Sequence, residues 1–149
     1  MNSVNKTMIN ALEALIGDEP NRIANLANAS ALLNQYLDDI NWAGFYLLEK
    51  HELVLGPFQG KTACIRIPVG KGVCGTAAER KEIVRVRDVH DFPGHIACDA
   101  ASRSEIVVPL LKGNSLIGVL DIDSPVPDRF SEEDQQFLEA FAETLVQYL

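Results

Sequence analysis

The stretch "SEIVVPLLKGNSLIGVLDIDS", residues 104–124, decides the fold. It carries two apolar runs on either side of Lys112-Gly113-Asn114, a set of residues typical of a turn. Two apolar runs joined in this way predict an antiparallel β-hairpin. Side chains alternate between the two faces of a strand, so Asp121 and Asp123 are expected to point the same way.

Glu105 lies near the start of the first strand of this hairpin. In an antiparallel pair the start of one strand lies beside the end of the other, so Glu105 is expected to approach Asp121 and Asp123. Like charges held close together raise at least one pKa, which leaves a proton available for general acid catalysis near neutrality. Acids at the end of a strand are also often only solvated, and that simpler interpretation of Asp121 and Asp123 stays open.

Helical patterns lie at both ends of the chain. Apolar residues recur at helical spacing over residues 8–16 and 23–37, on either side of the interruption "GDEPN" at 17–21. Two N-terminal helices are therefore predicted. A final helix is predicted to begin after Ser131, which three acidic residues follow. It would bury three apolar side chains, Phe137, Phe141 and Leu145.

The middle of the chain predicts four more strands and a short helix. The segments are "INWAGFYLLEK" (40–50) and "HELVLG" (51–56) as a strand pair, "CIRIPVG" (64–70) and "EIVRV" (82–86) as short strands, and "KGVCGTAAERK" (71–81) as the helix. This order of elements predicts an α+β fold with helices on an antiparallel sheet. A chain of 149 residues, 47% of them hydrophobic, is sized for one domain spanning residues 1–149.

The formal net charge of -8 opposes attraction to nucleic acid or to an anionic membrane surface. A small solute or another protein is the expected partner. No segment approaches the roughly 20 apolar residues of a membrane helix, and the N-terminal segment lacks a signal-peptide pattern. The protein is therefore expected to be cytoplasmic, where thiols are kept reduced.

The first predicted strand is apolar on both faces. Trp42 and Tyr46 alternate onto one face, while Ala43 and Phe45 alternate onto the other. Both faces therefore need cover, which helices on one side and a ligand pocket on the other would supply. Ordinary core packing of Trp42 and Tyr46 is the alternative.

The chain has three cysteines, Cys64, Cys74 and Cys98, without a CxxC pair. This spacing argues against a structural zinc site, and no metal is expected. A weaker alternative would draw zinc ligands from His90, His95 and Cys98 in the long polar segment 86–103. Cys98 lies in a loop, within "HIACDAASRSEIVVPL" (95–110), and loops carry chemistry more often than packing. Buried packing is the alternative interpretation for each thiol.

The cysteine spacing, together with "NWAGFY", "GKGVCG", "HIACDAASRSEIVVP" and "GVLDIDS", resembles the free methionine-(R)-sulfoxide reductases, enzymes of the GAF fold. The resemblance covers nearly the whole chain. It implies a GAF-like antiparallel sheet with the two N-terminal helices and the C-terminal helix on one face. It also implies a ligand pocket on the opposite face.

The resemblance further implies a redox mechanism without a bound cofactor. Cys98 would be the nucleophile that attacks the sulfur of free L-methionine-(R)-sulfoxide, leaving a sulfenic acid that Cys74 resolves to a disulfide. Thioredoxin, regenerated with NADPH, would reduce that disulfide. Cys64 resembles an auxiliary cysteine of the family.

The same resemblance places the acids Glu105, Asp121 and Asp123 at the polar end of the sulfoxide, where they can supply the proton that its oxygen needs. Trp42 and Tyr46 would line the substrate pocket. Carboxylates can also hold the ammonium group of a free amino acid, and a homodimer is expected. The alternative is a stand-alone GAF sensor of a small molecule or of redox state that acts through a partner protein.

Overall fold

One antiparallel sheet runs through the computed structural model, which describes residues 1–96 and 100–149. Its strands are β1 (Trp42–Glu49), β2 (Glu52–Gly60), β3 (Arg66–Pro68), β4 (Val84–Val86), β5 (Ser104–Lys112) and β6 (Ser115–Ser124). Across the sheet they lie in the order β3-β2-β1-β6-β5-β4. The predicted α+β architecture with an antiparallel sheet is confirmed.

The helices are α1 (Ser3–Ile16), α2 (Arg22–Tyr36), α3 (Gly72–Arg80) and α4 (Glu132–Val146), and a 3-10 turn spans Val89–Asp91. Asparagine side chains cap α1 and α2, because Asn2 and Asn21 each accept a hydrogen bond from a backbone N–H of the first turn. Ser131 and Asp134 cap the start of α4 reciprocally. None of the helices in the described ranges has the length and apolar character needed to cross a membrane.

Different helices cover the two faces of the sheet. Side chains of β1, β5 and β6 on one face form an apolar core with α1, α2 and α4. On the opposite face, α3 packs against β5 and β6. A second apolar cluster there includes Trp42, Tyr46, Cys74 and Val119. The expected division, with three helices on one face and a pocket on the other, is therefore observed.

The central hairpin has the predicted turn. β5 ends at Lys112 and β6 begins at Ser115, so Gly113 and Asn114 form the connection, with Gly113 at a φ of 63°. Glycine takes this left-handed conformation without steric cost. The hairpin thereby sets the register of the two strands that carry the acids.

The outer strands differ from the sequence-based prediction in length. β2 continues past Gly56 to Gly60, whereas the prediction ended it before Pro57. A register shift between Gly44 and Tyr46 places Pro57 in an irregularity of the β1–β2 pair, where a missing N–H is tolerated. The strands predicted over 64–70 and 82–86 are each only three residues long, Arg66–Pro68 and Val84–Val86. Both lie at an edge of the sheet, where each pairs with a single neighbour.

Two leucines of α1 allow a test of this packing within one helix. Leu12 is fully buried in the helix-covered core, while Leu15 is 49% exposed. We expect Leu12→Ala to lower the free energy of unfolding by about 2–5 kcal/mol, because it removes buried methyl groups and leaves a cavity. Leu15→Ala should change it by less than about 1 kcal/mol. Urea unfolding followed by circular dichroism measures both, and equal losses would contradict the packing of α1.

Candidate active site

Three carboxylates meet on the α3-covered face because of the strand register. Glu105 of β5 is directly opposite Asp123 of β6, and Trp42 of β1 is opposite Asp123 on the other side. Asp121 lies two residues earlier and so shares the face of Asp123. Glu105 is 6% exposed and Asp121 5%, so both side chains are buried acids. Solvation at a strand end, the simpler alternative for these acids, does not describe Asp121.

Cys74, in the first turn of α3, packs against the cluster of carboxylates. Its thiol Sγ lies 4.0 Å from Glu105 Oε2 and donates a weak hydrogen bond to it. Close contact of α3 with the loop after β3 depends on Gly75, since an added Cβ would lie 2.5 Å from the carbonyl oxygen of Pro68. Helix α3 therefore places the buried thiol of Cys74 close to the buried carboxyl groups of Glu105 and Asp121.

Burial and mutual repulsion keep this cluster protonated. Burial raises the pKa of Glu105 well above its ordinary value, and the neighbouring charges of Asp121 and Asp123 raise it further. Burial also raises the pKa of Asp121, although hydrogen bonds from Glu105 and Cys74 oppose the shift. Both shifts favour the protonated form, so the buried pair of Glu105 and Asp121 retains a proton to higher pH than an exposed carboxyl does. Burial, followed by the charge of Asp121, raises the pKa of Cys74 well above its usual range, so this group is a thiol rather than a thiolate.

The aromatic residues predicted to line a pocket form a continuous stack. The ring of Trp42 lies between those of Tyr46 and Phe58, with centroid distances of 5.9 and 5.1 Å. The Tyr46 hydroxyl donates a hydrogen bond of 2.9 Å to the backbone carbonyl of Cys64. Trp42 Nε1 donates one of 3.1 Å to the carbonyl of Lys61. The stack thus fixes the segment that carries Cys64.

These groups enclose a cavity of about 40 Å³. Trp42 and Tyr46 form part of its wall, together with Cys74 and the three acids. Further residues line it that the sequence did not identify as site residues: Thr62, Ala63, Ile67, Lys71, Gly72, Val73, Ile96 and Ser102. The glycine-rich entry to α3 was a usable signal for residues 71–73. Ser102 had none, because it reaches the cavity only through the tertiary fold.

The cysteines have different states. Cys64 is disulfide-bonded, whereas Cys74 is a buried free thiol. Cys98 lies outside the described residues, so its role stays a prediction. Cys74 forms no disulfide in this structure, and its predicted disulfide with Cys98 as a step of the reaction stays a prediction. Of the two histidines weighed as zinc ligands, His90 is largely exposed and places its Nδ1 2.9 Å from Asp88, while His95 lines the cavity.

Comparison with known proteins places this chain in a family. The GAF domain model matches residues 21–149. The chain is 66% identical to the free methionine-R-sulfoxide reductase of Escherichia coli over 125 residues, which is 84% of this chain and 76% of that protein. The chain belongs to the free methionine-R-sulfoxide reductase family of GAF-domain proteins.

Two solved members of this reductase family share the whole architecture. The fRMsr of Staphylococcus aureus, in complex with substrate, is 53% identical with a TM-score of 0.94, covering 100% of this chain and 97% of that chain. The free methionine-R-sulfoxide reductase of Neisseria meningitidis, in complex with its substrate, is 44% identical with a TM-score of 0.94, covering 98% and 88%. The GAF-like fold implied by the motifs is therefore confirmed.

The buried acids make stability depend on pH. Because the pKa of Glu105 is raised in the folded state, its favourable contribution is full below its ordinary pKa of 4.5 and is lost as pH rises through the folded-state value. Glu105→Gln removes this titration. We expect the melting temperature of Glu105→Gln minus that of the wild type to increase from pH 5 to pH 8.

The exposed Glu82 provides the matched control, since Glu82→Gln should show no such trend. Differential scanning calorimetry across the same pH range measures all three proteins. A difference for Glu105→Gln that stays constant with pH would contradict the buried, protonated state of Glu105.

Proposed function

We propose that this chain reduces free L-methionine-(R)-sulfoxide to methionine. The observation that carries the proposal is a cluster of three acids, of which Glu105 and Asp121 are buried. An aromatic stack lies beside it, and the Tyr46 hydroxyl of that stack is hydrogen-bonded to the disulfide-bonded Cys64. Such a site offers proton donors and thiol redox chemistry side by side, which are the two requirements for removing a sulfoxide oxygen. The E. coli relative and the two substrate complexes support the same substrate.

The acid cluster supplies selectivity for a free amino acid. Asp121 Oδ1 is buried and accepts no hydrogen bond from any described residue, so it offers an acceptor for an ammonium group. A residue within a polypeptide has no ammonium group to place there and would leave the oxygen unpaired. We therefore propose that the cluster selects free methionine sulfoxide over the same residue in a protein.

The cavity has to widen when substrate enters. Its volume of about 40 Å³ holds a few water molecules rather than an amino acid. Ile96 packs against Gly72, since an added Cβ on Gly72 would lie 3.2 Å from Ile96 Cδ1, and Ile96 is 36% exposed. Outward displacement of Ile96 from α3 is the proposed opening.

The reductive step is proposed to begin at Cys98. Its thiolate forms a bond to the sulfoxide sulfur while a carboxyl donates a proton to the sulfoxide oxygen. Glu105 is the proposed donor, because burial and the neighbouring acids raise its pKa well above the ordinary value. The resulting hydroxyl then passes to the Cys98 sulfur while the sulfur–oxygen bond of the substrate and the new sulfur–sulfur bond break, giving methionine and, as the oxidised product, a sulfenic acid on Cys98.

Resolution of the sulfenic acid is proposed to use Cys64. A second thiol attacks the Cys98 sulfur, water leaves, and a disulfide forms. The family resemblance gave this role to Cys74, with Cys64 as auxiliary. Two observations favour Cys64: it is disulfide-bonded, and the thiol of Cys74 is buried with its pKa raised, which makes it a poor nucleophile.

The remaining parts of the proposal follow from the resemblance. Thioredoxin, kept reduced with NADPH, is the proposed reductant of the disulfide, and no bound cofactor takes part. The chain is proposed to act in the cytoplasm as a homodimer.

Substrate selectivity and the role of Cys98 are tested together. Thioredoxin-coupled NADPH oxidation is measured with free L-methionine-(R)-sulfoxide, its S epimer and the N-acetylated R form. We expect turnover with the free R epimer only, and none in Cys98→Ser. Equal rates with the N-acetylated form would refute selection by the ammonium group. No turnover with any of the three would favour a GAF sensor acting through a partner protein.

The two candidate resolving thiols are separated by single-turnover measurements. Cys64→Ser should release one methionine per chain and then stop, because the sulfenic acid on Cys98 finds no resolving thiol. Cys74→Ser should continue to cycle with thioredoxin. The reverse pattern would return the resolving role to Cys74, and methionine is quantified by rapid quench and chromatography.

A further inference from the structure

Three buried ligand atoms converge on one point of the cavity wall. The Cys74 thiol, Glu105 and Asp121 each offer one atom, and these atoms lie within 4.8 Å of one another. They come from α3, β5 and β6, three elements that the core holds in place. Zinc bonds of roughly 2.0–2.3 Å to oxygen and sulfur put tetrahedral ligand atoms about 3.5 Å apart. Small side-chain rotations would therefore close the cluster around one ion.

A second observation is an unpaired carboxylate oxygen in this cluster. Asp121 is only 5% exposed, and its Oδ1 has no hydrogen-bond partner among the described residues. No ion pair in the described ranges involves Glu105 or Asp121. An orphaned carboxylate oxygen in a buried site is costly unless something positive or proton-donating occupies the site at least part of the time.

The chemistry of the donors selects the class of ion. One sulfur and two carboxylate oxygens suit Zn²⁺, which accepts mixed sulfur and oxygen ligands in a tetrahedral arrangement. Mg²⁺ and Ca²⁺ prefer six or more oxygen ligands, which this site does not supply. The fourth position would face the cavity and hold water, as in zinc sites with an open position.

We propose that Cys74, Glu105 and Asp121 form a zinc-binding site, and that zinc bound there blocks the substrate pocket. On binding, the thiol of Cys74 and the carboxyl of Glu105 each release a proton to solvent, and zinc–sulfur and zinc–oxygen bonds form with no change of oxidation state. The ion occupies the carboxylates that the substrate needs, so zinc and methionine sulfoxide exclude one another. Binding itself is independent of the activity, whereas inhibition rests on the proposed function.

Cobalt(II) is the probe, because thiolate ligation to Co²⁺ gives a near-ultraviolet charge-transfer absorption. The full chain is titrated in its oxidised form, in which Cys64 is disulfide-bonded and Cys74 is a free thiol. We expect saturation at one Co²⁺ per chain, displacement by equimolar Zn²⁺, and no displacement by Mg²⁺. Absence of the band in the wild type would overturn the proposal.

Variants locate the site. Cys74→Ser should abolish the charge-transfer band, and Asp121→Asn should weaken Zn²⁺ binding at least tenfold while the fold, checked by circular dichroism, is kept. Glu82→Gln is the control, because Glu82 is exposed and is not one of the three proposed ligands. This variant should bind Co²⁺ and Zn²⁺ like the wild type. Unchanged binding in Cys74→Ser or in Asp121→Asn would overturn the proposal. If Cys74→Ser fails to fold, Asp121→Asn decides.

Turnover assays test the consequence. Zinc should inhibit reduction of free methionine-(R)-sulfoxide, higher substrate concentrations should relieve the inhibition, and a chelator should restore the rate. Inhibition that substrate does not relieve would refute the mutual exclusion. A chain without reductase activity would remove the proposed function, while the cobalt titration would still decide the metal site.

Discussion

The cross-strand pair of Glu105 and Asp123, with Asp121 on the same face, is the constraint on which this structure depends. Carboxyl groups removed from water cost free energy, and like charges add to that cost. The cost is limited because burial raises the pKa of both Glu105 and Asp121, which favours their uncharged forms. Burying acids at this position lowers the free energy of unfolding, a cost that is common at functional sites.

The helix-covered core supplies the rigidity that this pair requires. β5 and β6 each send alternate residues into the core with α1, α2 and α4, so their register cannot slip without exposing that core. The remaining residues of the same strands face α3 and the cavity. The period of two in this strand pair therefore separates the residues that pack in the helix-covered core from those that line the cavity.

The two described cysteines show how environment divides similar side chains between roles. Cys74 lies against carboxylates in a dry setting, where a thiolate is disfavoured. Cys64 lies in the segment that the Tyr46 hydroxyl holds, and it is disulfide-bonded. We therefore propose resolution of the sulfenic acid by Cys64, and binding of a cation by Cys74 as its thiolate.

Several features followed from local pattern alone. The period of two in β6 predicted the shared face of Asp121 and Asp123, and the Gly113-Asn114 turn predicted the hairpin that brings Glu105 to them. Family motifs then implied the GAF-like fold and the site residues. The limits of local pattern appear at β2, whose continuation past Pro57 depends on a bulge against β1 that only the pairing of two strands can create.

Sequence by itself therefore determined the elements, the face on which each strand residue lies, and the chemistry available in the acids, thiols and aromatic rings. Only the tertiary structure decided the burial of that chemistry and its neighbours: the thiol of Cys74 on Glu105, the stacking of Phe58 on Trp42, and the approach of Ser102 to the cavity. The physical reason is that alternation and capping are local properties of the chain. Desolvation, and the pKa shifts that it causes, depend on residues that folding brings together from distant positions.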